Sequence, residues 1–162
     1  MRHEIETIIH HTRVYRSDAT CHLGVARDLY AYIRANVDNS RTFNEPGTSG
    51  FNVENHTLEI KVEVNKPDLC PRYSGLTISG IKVGPSPAWL QNHLQVLGVK
   101  PINNVVDATN YILHDLGQPL HAFDADKIGG STIVVDTLTS GTQFLALDGR
   151  AFTLKGEELM IC

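Results

Sequence analysis

The sequence feature that most constrains the fold is a change of hydrophobic period partway along the chain. Residues 57–64, TLEIKVEV, alternate apolar and charged side chains, which is the period of a half-exposed strand. Residues 104–116 instead place apolar side chains in one narrow stripe at the spacing of a helix. Because helix and strand patterns do not alternate regularly, we predict an α+β fold rather than a doubly wound sheet. We expect mainly antiparallel and mixed sheets, with the helices packed on one side in a three-layer, sandwich-like arrangement.

Other segments repeat one or the other of these two patterns. A helix is predicted over residues 19–33, with Ser17 or Asp18 as its cap, and a second helix is predicted to start with Ser86 as cap and to end at Gly98. A short helical turn is expected near residues 124–128. The predicted strands cover residues 57–64, 72–83, 132–137, 143–147, 151–154 and 159–162, and an Asp-Gly turn joins the fourth and fifth of them.

The helix that carries the apolar stripe also carries polar side chains in defined places. Asn104 is predicted to open it, Asp107 lies three residues on in the capping-box position, and Gly117 is predicted to end it. At about 100° per residue, Asp107 faces away from the stripe, whereas Thr109 lies within the stripe and Asn110 lies on its border. A hydroxyl and an amide are therefore expected on the inward side of this helix.

Charge limits how this chain can meet nucleic acid. The net charge is −4, and residues 1–50 carry six basic and six acidic side chains, so the whole deficit lies in residues 51–162. A protein that grips phosphates over a wide face is expected to be basic. Any RNA bound by this chain must therefore be held mainly by other parts of an assembly. The sequence contains no run of about 18 apolar residues, so no membrane span is predicted. The N-terminus lacks the apolar segment of a secretory signal.

Cysteine and histidine spacing predicts neither a disulfide framework nor a metal site. Cys21, Cys70 and Cys162 are far apart and odd in number, which is typical of free thiols in a reducing cytoplasm. His10 and His11 form the only adjacent histidine pair, and no acidic residue or cysteine has ligand spacing beside them.

Standard catalytic signatures are absent from the sequence. It contains no phosphate-binding G-x-x-x-x-G-K-[ST], no H-E-x-x-H and no G-x-S-x-G motif. His121 follows a Gly-Gln-Pro turn and is predicted to lie near the end of the helix that carries Thr109 and Asn110. It is either a satisfied core histidine or an imidazole that orients a water or an ester. Lys100 precedes the same helix and could meet an anionic or carbonyl oxygen. Residue patterns alone leave these alternatives open.

Four sequence blocks, in order, resemble one family. The chain is similar to the editing module of bacterial phenylalanyl-tRNA synthetase beta subunits in CPRYSG (70–75), IKVGPSP (81–87) followed by Trp-Leu, VVDATNY (105–111) and GQPLHAFD (117–124). The similarity continues more loosely to Cys162, and residues 17–29 resemble the helix that precedes the module. The run TRVYR at 12–16 departs from the family's usual TPNR.

The resemblance implies hydrolysis of mischarged tyrosyl-tRNA(Phe). An apolar synthetic pocket rejects an added hydroxyl by only about 10²-fold, so a second site that hydrogen-bonds the hydroxyl is needed to discriminate further. The resemblance implies no metal, cofactor or protein nucleophile for this step. ATP and magnesium are expected only in the intact synthetase, and the expected partners are tRNA(Phe) and the alpha subunit of a cytoplasmic heterotetramer.

Site residues carry over from the family by position. The resemblance assigns His121 the catalytic role of positioning the tRNA end or the water, and makes Thr109 and Asn110 pocket-lining residues. Lys100 stands where the family often has arginine, and a lysine keeps the charge but loses the planar two-pronged grip. The family's glycine-rich loop and hydroxyl-sensing glutamate are expected beyond Cys162, so this chain is expected to form one wall of the pocket.

The resemblance also suggests how the chain is divided. We expect an N-terminal helical appendage at 1–40, a linker and strand at 41–69, and the first half of the editing domain at 70–162, truncated at its C-terminus. The isolated chain is expected to be inactive in hydrolysis and in aminoacylation. Two alternatives are a non-catalytic structural or tRNA-docking module of the same subunit, and an unrelated domain that shares the fold without editing.

Overall fold

The computed structural model describes residues 17–146 and 148–162, and these residues form an α+β fold. The helices of this part are α1 (His22–Asn36), α2 (Ala88–Val96) and α3 (Asn104–Leu116). The strands are β1 (Lys61–Val64), β2 (Thr132–Thr137), β3 (Gln143–Leu145), β4 (Ala151–Thr153) and β5 (Leu159–Ile161). The predicted fold class is confirmed, with one mixed and one antiparallel sheet.

The chain divides into two compact units, each built from two separate stretches of sequence. The first unit takes the described residues up to Asn52 together with Ile81–Ala122, and it contains all three described α-helices. The second takes Val53–Gly80 and Phe123–Cys162, and it contains all five described strands. The layered packing of helices on a sheet and the domain boundaries drawn from the sequence stay predictions.

The strand unit is centred on β2. This strand pairs with β1 in parallel, from Lys61 opposite Thr132, and with β5 in antiparallel, so the sheet order is β1-β2-β5. Ile133 and Val135 are buried on alternate positions of β2, because β-branched side chains on one face of a strand pack well against a core. The predicted hairpin is formed by β3 and β4, with Phe144 opposite Phe152.

Two strand predictions fail for the same reason. The strand predicted over 72–83 is wrong, since these residues form no strand and several of their apolar side chains are exposed: Leu76, Ile78, Ile81 and Val83. The strand predicted over 57–64 is real only in Lys61–Val64, where β2 provides a partner. A strand pattern becomes a strand only where backbone partners complete the ladder. Within 72–83, the backbone at Gly75 lies close to β1, because a β-carbon on Gly75 would lie 3.3 Å from Cγ2 of Val62.

Helix starts in the first unit differ from the predicted caps. Residues 17–20 form a 3₁₀ turn, and α1 begins after Cys21, whose sulfur accepts a hydrogen bond from the Gly24 amide. Pro87 rather than Ser86 is the N-cap of α2 and provides no side-chain bond. Helix α3 begins at Asn104 as predicted, but its N-cap is Asn103, whose Oδ1 accepts from the amides of Val105 and Val106 at 3.1 and 3.0 Å.

Candidate functional site

Helix α3 carries the polar pair expected on its inward side. Thr109 and Asn110 are both half-buried on this helix. The Thr109 hydroxyl donates to the carbonyl oxygen of Val106 at 2.8 Å. Because the hydroxyl hydrogen is already engaged, the Thr109 oxygen offers a ligand an acceptor rather than a donor. Asn110 carries both an acceptor and two donors.

The segment after α3 brings His121 to the surface. Gly117 adopts a left-handed conformation with φ of 78°, and its amide donates to the Leu113 carbonyl, which ends the helix as predicted. Residues 117–121 then lie exposed and irregular. The imidazole of His121 is therefore accessible to solvent and is not enclosed in a hydrophobic core.

Lys100 precedes α3 in the sequence and lies in the short connection between α2 and α3. Its side chain is exposed. Two residues later, the Ile102 amide donates to Oδ1 of Asp107 at 2.8 Å, which fixes this connection to the first turns of α3. Lys100 is thus attached to the helix that carries Thr109 through a short, anchored segment.

Asp107 differs more from its sequence-based prediction than any other residue of α3. It was predicted in a capping box and facing away from the apolar stripe, but its side chain is 0% exposed. One carboxyl oxygen accepts from the Ile102 amide, and the other accepts from the hydroxyl of Ser86, itself buried, at 2.5 Å. The capping-box prediction is wrong because both oxygens bind groups outside the helix. Ser86 lies 21 residues before Asp107, so no local pattern in the sequence indicated this bond.

Asn104 ties the same end of α3 to the stretch before α2. Its amide donates to the Gly84 carbonyl at 2.9 Å, and its Oδ1 accepts from the Gly84 amide at 3.1 Å. Its Nδ2 donates to the Lys82 carbonyl at 3.0 Å. Sequence patterns gave no indication of these bonds, which join residues about 20 positions apart. The side chains of Asn104 and Asp107 therefore attach the N-terminal end of α3 to the segments that precede it.

Helix α2 packs against α3 through aromatic edges. The rings of Trp89 and Tyr111 meet at 5.6 Å between centroids and 88°, and the imidazole of His93 meets both rings at 5.6 and 6.0 Å. Leu90 and Leu94 of α2 are buried, whereas Trp89 is 53% exposed. These contacts add shape-specific packing to the hydrogen bonds at the start of α3.

Helix α1 contacts the C-terminal end of α3. Cys21 lies against Gly117, and Nδ1 of His22 lies 3.8 Å from Oδ1 of Asp115. Both ends of α3 are therefore held, and this suits a helix that presents polar groups to a substrate. Lys100, Thr109, Asn110 and His121 all belong to this unit; their convergence on one pocket stays a prediction.

Residues 17–146 and 148–162 contain neither a metal-ligating cluster nor a membrane-spanning helix. No group of three or more His, Cys, Asp or Glu side chains in this part could hold a metal ion. None of its helices is long and apolar enough to cross a membrane. Neither Cys70 nor Cys162 forms a disulfide. The predictions for His10, His11 and the TRVYR run at 12–16 fall outside the described residues.

Comparison with known proteins gives a consistent family. Residues 69–162 match the profile of the B3/4 domain family. The phenylalanine–tRNA ligase beta subunit of Bacteroides fragilis is 52% identical over 147 residues, which cover 91% of the chain, and that of Bacteroides thetaiotaomicron is 53% identical over the same length. The corresponding subunit of Porphyromonas gingivalis is 48% identical over 149 residues. The chain spans about 18% of the length of these curated relatives.

Proposed function

This chain belongs to the B3/4 domain family, and from that membership we propose that it forms one wall of the editing site of a phenylalanine–tRNA ligase beta subunit. This enzyme is also called phenylalanyl-tRNA synthetase. The reaction at the site is hydrolysis of tyrosyl-tRNA(Phe). The observation that carries the proposal is the placing of Thr109 and Asn110 on a helix fixed at both ends, followed by an exposed His121.

The reaction is transfer of the tyrosyl group to water. The oxygen of water bonds to the ester carbonyl carbon, the bond from that carbon to the ribose oxygen breaks, and the proton that the water loses passes to the ribose oxygen. A neutral imidazole can orient the attacking water or hold the terminal ribose by a hydrogen bond. The solvent exposure of His121 suits either role, since both require contact with an incoming substrate.

Thr109 and Asn110 act on the substrate through hydrogen bonds. The Thr109 oxygen accepts, because its hydrogen points to the Val106 carbonyl; an ammonium group or a ribose hydroxyl of the tRNA end is a suitable donor. The Asn110 amide can donate to a carbonyl oxygen. Polar groups that are satisfied only by the correct ligand discriminate strongly, because a ligand lacking the matching group leaves them unpaired.

The electrostatic balance indicates where the tRNA is held. With a net charge of −4, this chain cannot supply the counterion release that anchors a polynucleotide. We assign most of the binding of tRNA(Phe) to the rest of the ligase and to the alpha subunit, in the cytoplasm. Lys100 contributes a single point charge near the bound end. ATP and magnesium belong to the aminoacylation reaction of the intact enzyme.

The proposal is tested in a ligase assembled from the alpha subunit and the complete beta subunit that contains this sequence. Release of tyrosine from preformed tyrosyl-tRNA(Phe) is compared among wild type, His121→Ala and His56→Ala. General acid–base and positioning groups contribute about 10²- to 10⁴-fold, so His121→Ala is expected to slow release within that range. His56 is exposed and unassigned, so its replacement is the matched control.

Phenylalanine attachment to tRNA(Phe) is measured in the same preparations, to report on assembly. Equal hydrolysis by wild type and His121→Ala removes the role of His121. A wild-type ligase that does not release tyrosine removes the editing function. Tight binding of tRNA by the isolated chain at physiological salt favours the docking alternative instead.

A further inference from the structure

Asp107 is a fully buried acidic side chain to which the proposed reaction gives no part. Among the described residues, it and Ser86 are the two buried polar or charged side chains, and they bind each other. A polar group is stable in an interior only when hydrogen bonds compensate the lost water. The chain therefore keeps a carboxyl group that is energetically costly to bury next to the proposed site. An apolar side chain in the same place would pack without needing hydrogen bonds.

We propose that Asp107 is a positioning residue that holds Lys100 at a fixed place relative to Thr109 and Asn110. This inference rests on the proposed function of the same site. Asp107 touches no substrate itself. Its role is to join the segment that carries Lys100 rigidly to α3, since the two would otherwise move separately.

The link to Lys100 is short and stiff. Oδ1 of Asp107 accepts from the Ile102 amide at 2.8 Å, and Ile102 is two residues beyond Lys100. The residue between them is Pro101, whose ring fixes its own φ and restricts the residue before it. The backbone of Lys100 is therefore determined largely by the anchored amide at Ile102.

The link to the polar pair runs along the helix. Thr109 and Asn110 are two and three residues beyond Asp107 on α3, so their backbone atoms have a fixed relation to its carboxyl group. One carboxyl group thus connects the charged side chain before the helix with the hydroxyl and amide on it. Catalytic groups must be held to a fraction of an ångström to be effective, and this is the kind of support that achieves it.

The second carboxyl oxygen fixes the orientation of the group. Oδ2 accepts from the Ser86 hydroxyl, and the Ser86 carbonyl in turn accepts from Nε2 of Gln91 in α2 at 2.6 Å. The carboxyl group also lies in the first turn of α3, where the helix dipole favours a negative group. With both oxygens engaged, the side chain has a single orientation, and the Ile102 bond keeps its direction.

This geometry predicts different results for two substitutions. Asp107→Ala leaves the Ile102 amide and the Ser86 hydroxyl without their acceptor. Asp107→Asn keeps the shape and an oxygen for Ile102, while the Ser86 hydroxyl can rotate to accept from the new amide. The amide variant is therefore expected to retain most of the positioning, whereas alanine is expected to lose it.

The test uses the assembled ligase with the complete beta subunit and measures kcat and KM for release of tyrosine from tyrosyl-tRNA(Phe). Misplacement of a group by about 1 Å costs up to about 10²-fold, so Asp107→Ala is expected to lower kcat about 10- to 100-fold, and Asp107→Asn is expected to restore most of it. In a Lys100→Ala background, Asp107→Ala is expected to cost much less, because the group it positions is gone.

Leu94→Ala is the matched control, since Leu94 is also 0% exposed in the same unit and makes none of these hydrogen bonds. It is expected to lower the melting temperature while its effect on kcat adds to that of Lys100→Ala. If Asp107→Ala does not fold, Ser86→Ala, which removes the bond to the second carboxyl oxygen, provides the same coupling measurement alone and with Lys100→Ala.

The outcomes separate the two proposals. A hydrolysing wild type in which the Asp107 and Lys100 effects simply add overturns the positioning role and leaves the editing function standing. Asparagine and alanine variants of Asp107 that lose hydrolysis equally also overturn it. A wild type that releases no tyrosine overturns the editing function first, and the positioning role falls with it.

Discussion

The sulfur of Cys21 lies 3.0 Å from the point that a β-carbon on Gly117 would occupy. Gly117 ends α3 with a φ of +78°, and Cys21 is the residue from which α1 begins. The glycine therefore meets two requirements together, a left-handed backbone and the absence of a side chain. Gly98, after α2, meets only the first, because nothing lies within 4 Å of its β-carbon position.

Gly117→Ala is expected to destabilise the chain more than Gly98→Ala. Left-handed backbone costs an ordinary residue about 1–2 kcal/mol, and this cost applies to both substitutions. Only the Gly117 variant adds a clash with sulfur. Urea unfolding of the 162-residue chain measures both free energies. Cys21→Ala in the Gly117→Ala background is expected to recover part of the difference, and equal losses for the two glycines would contradict the clash.

The edge-to-face contact of Trp89 and Tyr111 is expected to couple α2 to α3 energetically. Such ring pairs contribute about 0.5–1.5 kcal/mol beyond the area they bury, so a double-mutant cycle with Trp89→Leu and Tyr111→Leu should give coupling in that range. Trp89 is the only tryptophan, and its fluorescence should change when Tyr111 alone is replaced. Tyr32 is exposed on α1 and serves as control, since Tyr32→Leu should add to Trp89→Leu without coupling.

Asp136 is expected to give the strand unit a dependence on acid pH. Hydrogen bonds from the Asn65 side chain and the Thr137 amide, together with the charge of Lys66, hold the pKa of the Asp136 carboxyl below its ordinary value of 3.8. A lowered pKa contributes stability that is fully present above the unfolded value and is lost as pH falls through the folded one. The loss is therefore expected below pH 3.8.

Asn65→Ala is expected to move the pKa of Asp136 upward, because it removes the largest cause of the shift. Titration of the side-chain carboxyl signals by NMR measures this directly. Asp38 is the internal control, since bonds from Ser40 lower its pKa and Asn65 has no part in them. An unmoved Asp136 titration in the variant would show that the bond at 2.9 Å is not maintained in solution.

Thr109→Val is expected to lower the hydrolysis of tyrosyl-tRNA(Phe), because valine keeps the shape and removes the accepting oxygen. One hydrogen bond of about 1 kcal/mol corresponds to a loss of roughly 5-fold in kcat/KM. Thr109→Ser keeps the oxygen and should remain near wild type. Thr139→Val in the strand unit removes an exposed hydroxyl that contacts only the Thr142 hydroxyl and has no assigned role, and it should not change the rate. Equal rates for the serine and valine variants of Thr109 would exclude its oxygen from substrate binding.

Local patterns predicted the elements whose signals lie in neighbouring residues. Helix α3 ends at Gly117 as expected, and β2 covers Thr132–Thr137 as predicted, because a helix stop and a β-branched run are encoded in neighbouring residues. The strand predicted at 72–83 is absent, because strand propensity depends on partners that the local sequence does not specify.

In the candidate site too, local periodicity predicted some positions, whereas contacts between distant residues were missed. Thr109 and Asn110 could be placed on the inward side of a helix, since helical periodicity fixes their direction. Asp107 was misplaced, because periodicity assigns an acidic residue to the solvent face and cannot foresee a hydroxyl 21 residues away. How His121 and Lys100 lie relative to that pair depends on the path of irregular segments, which periodicity does not determine.

The parallel pairing of β1 with β2 has a consequence for synthesis on the ribosome. Lys61 pairs with Thr132, 71 positions later (132 − 61), and the stretch between them includes the second half of the helical unit. At about 5–20 residues per second, roughly 4 to 14 seconds separate the translation of Lys61 from that of its partner Thr132. During that interval a nascent strand with open edges is exposed to other chains. The charges of Lys61 and Glu63, which alternate with its valines, discourage premature pairing until the sheet can close.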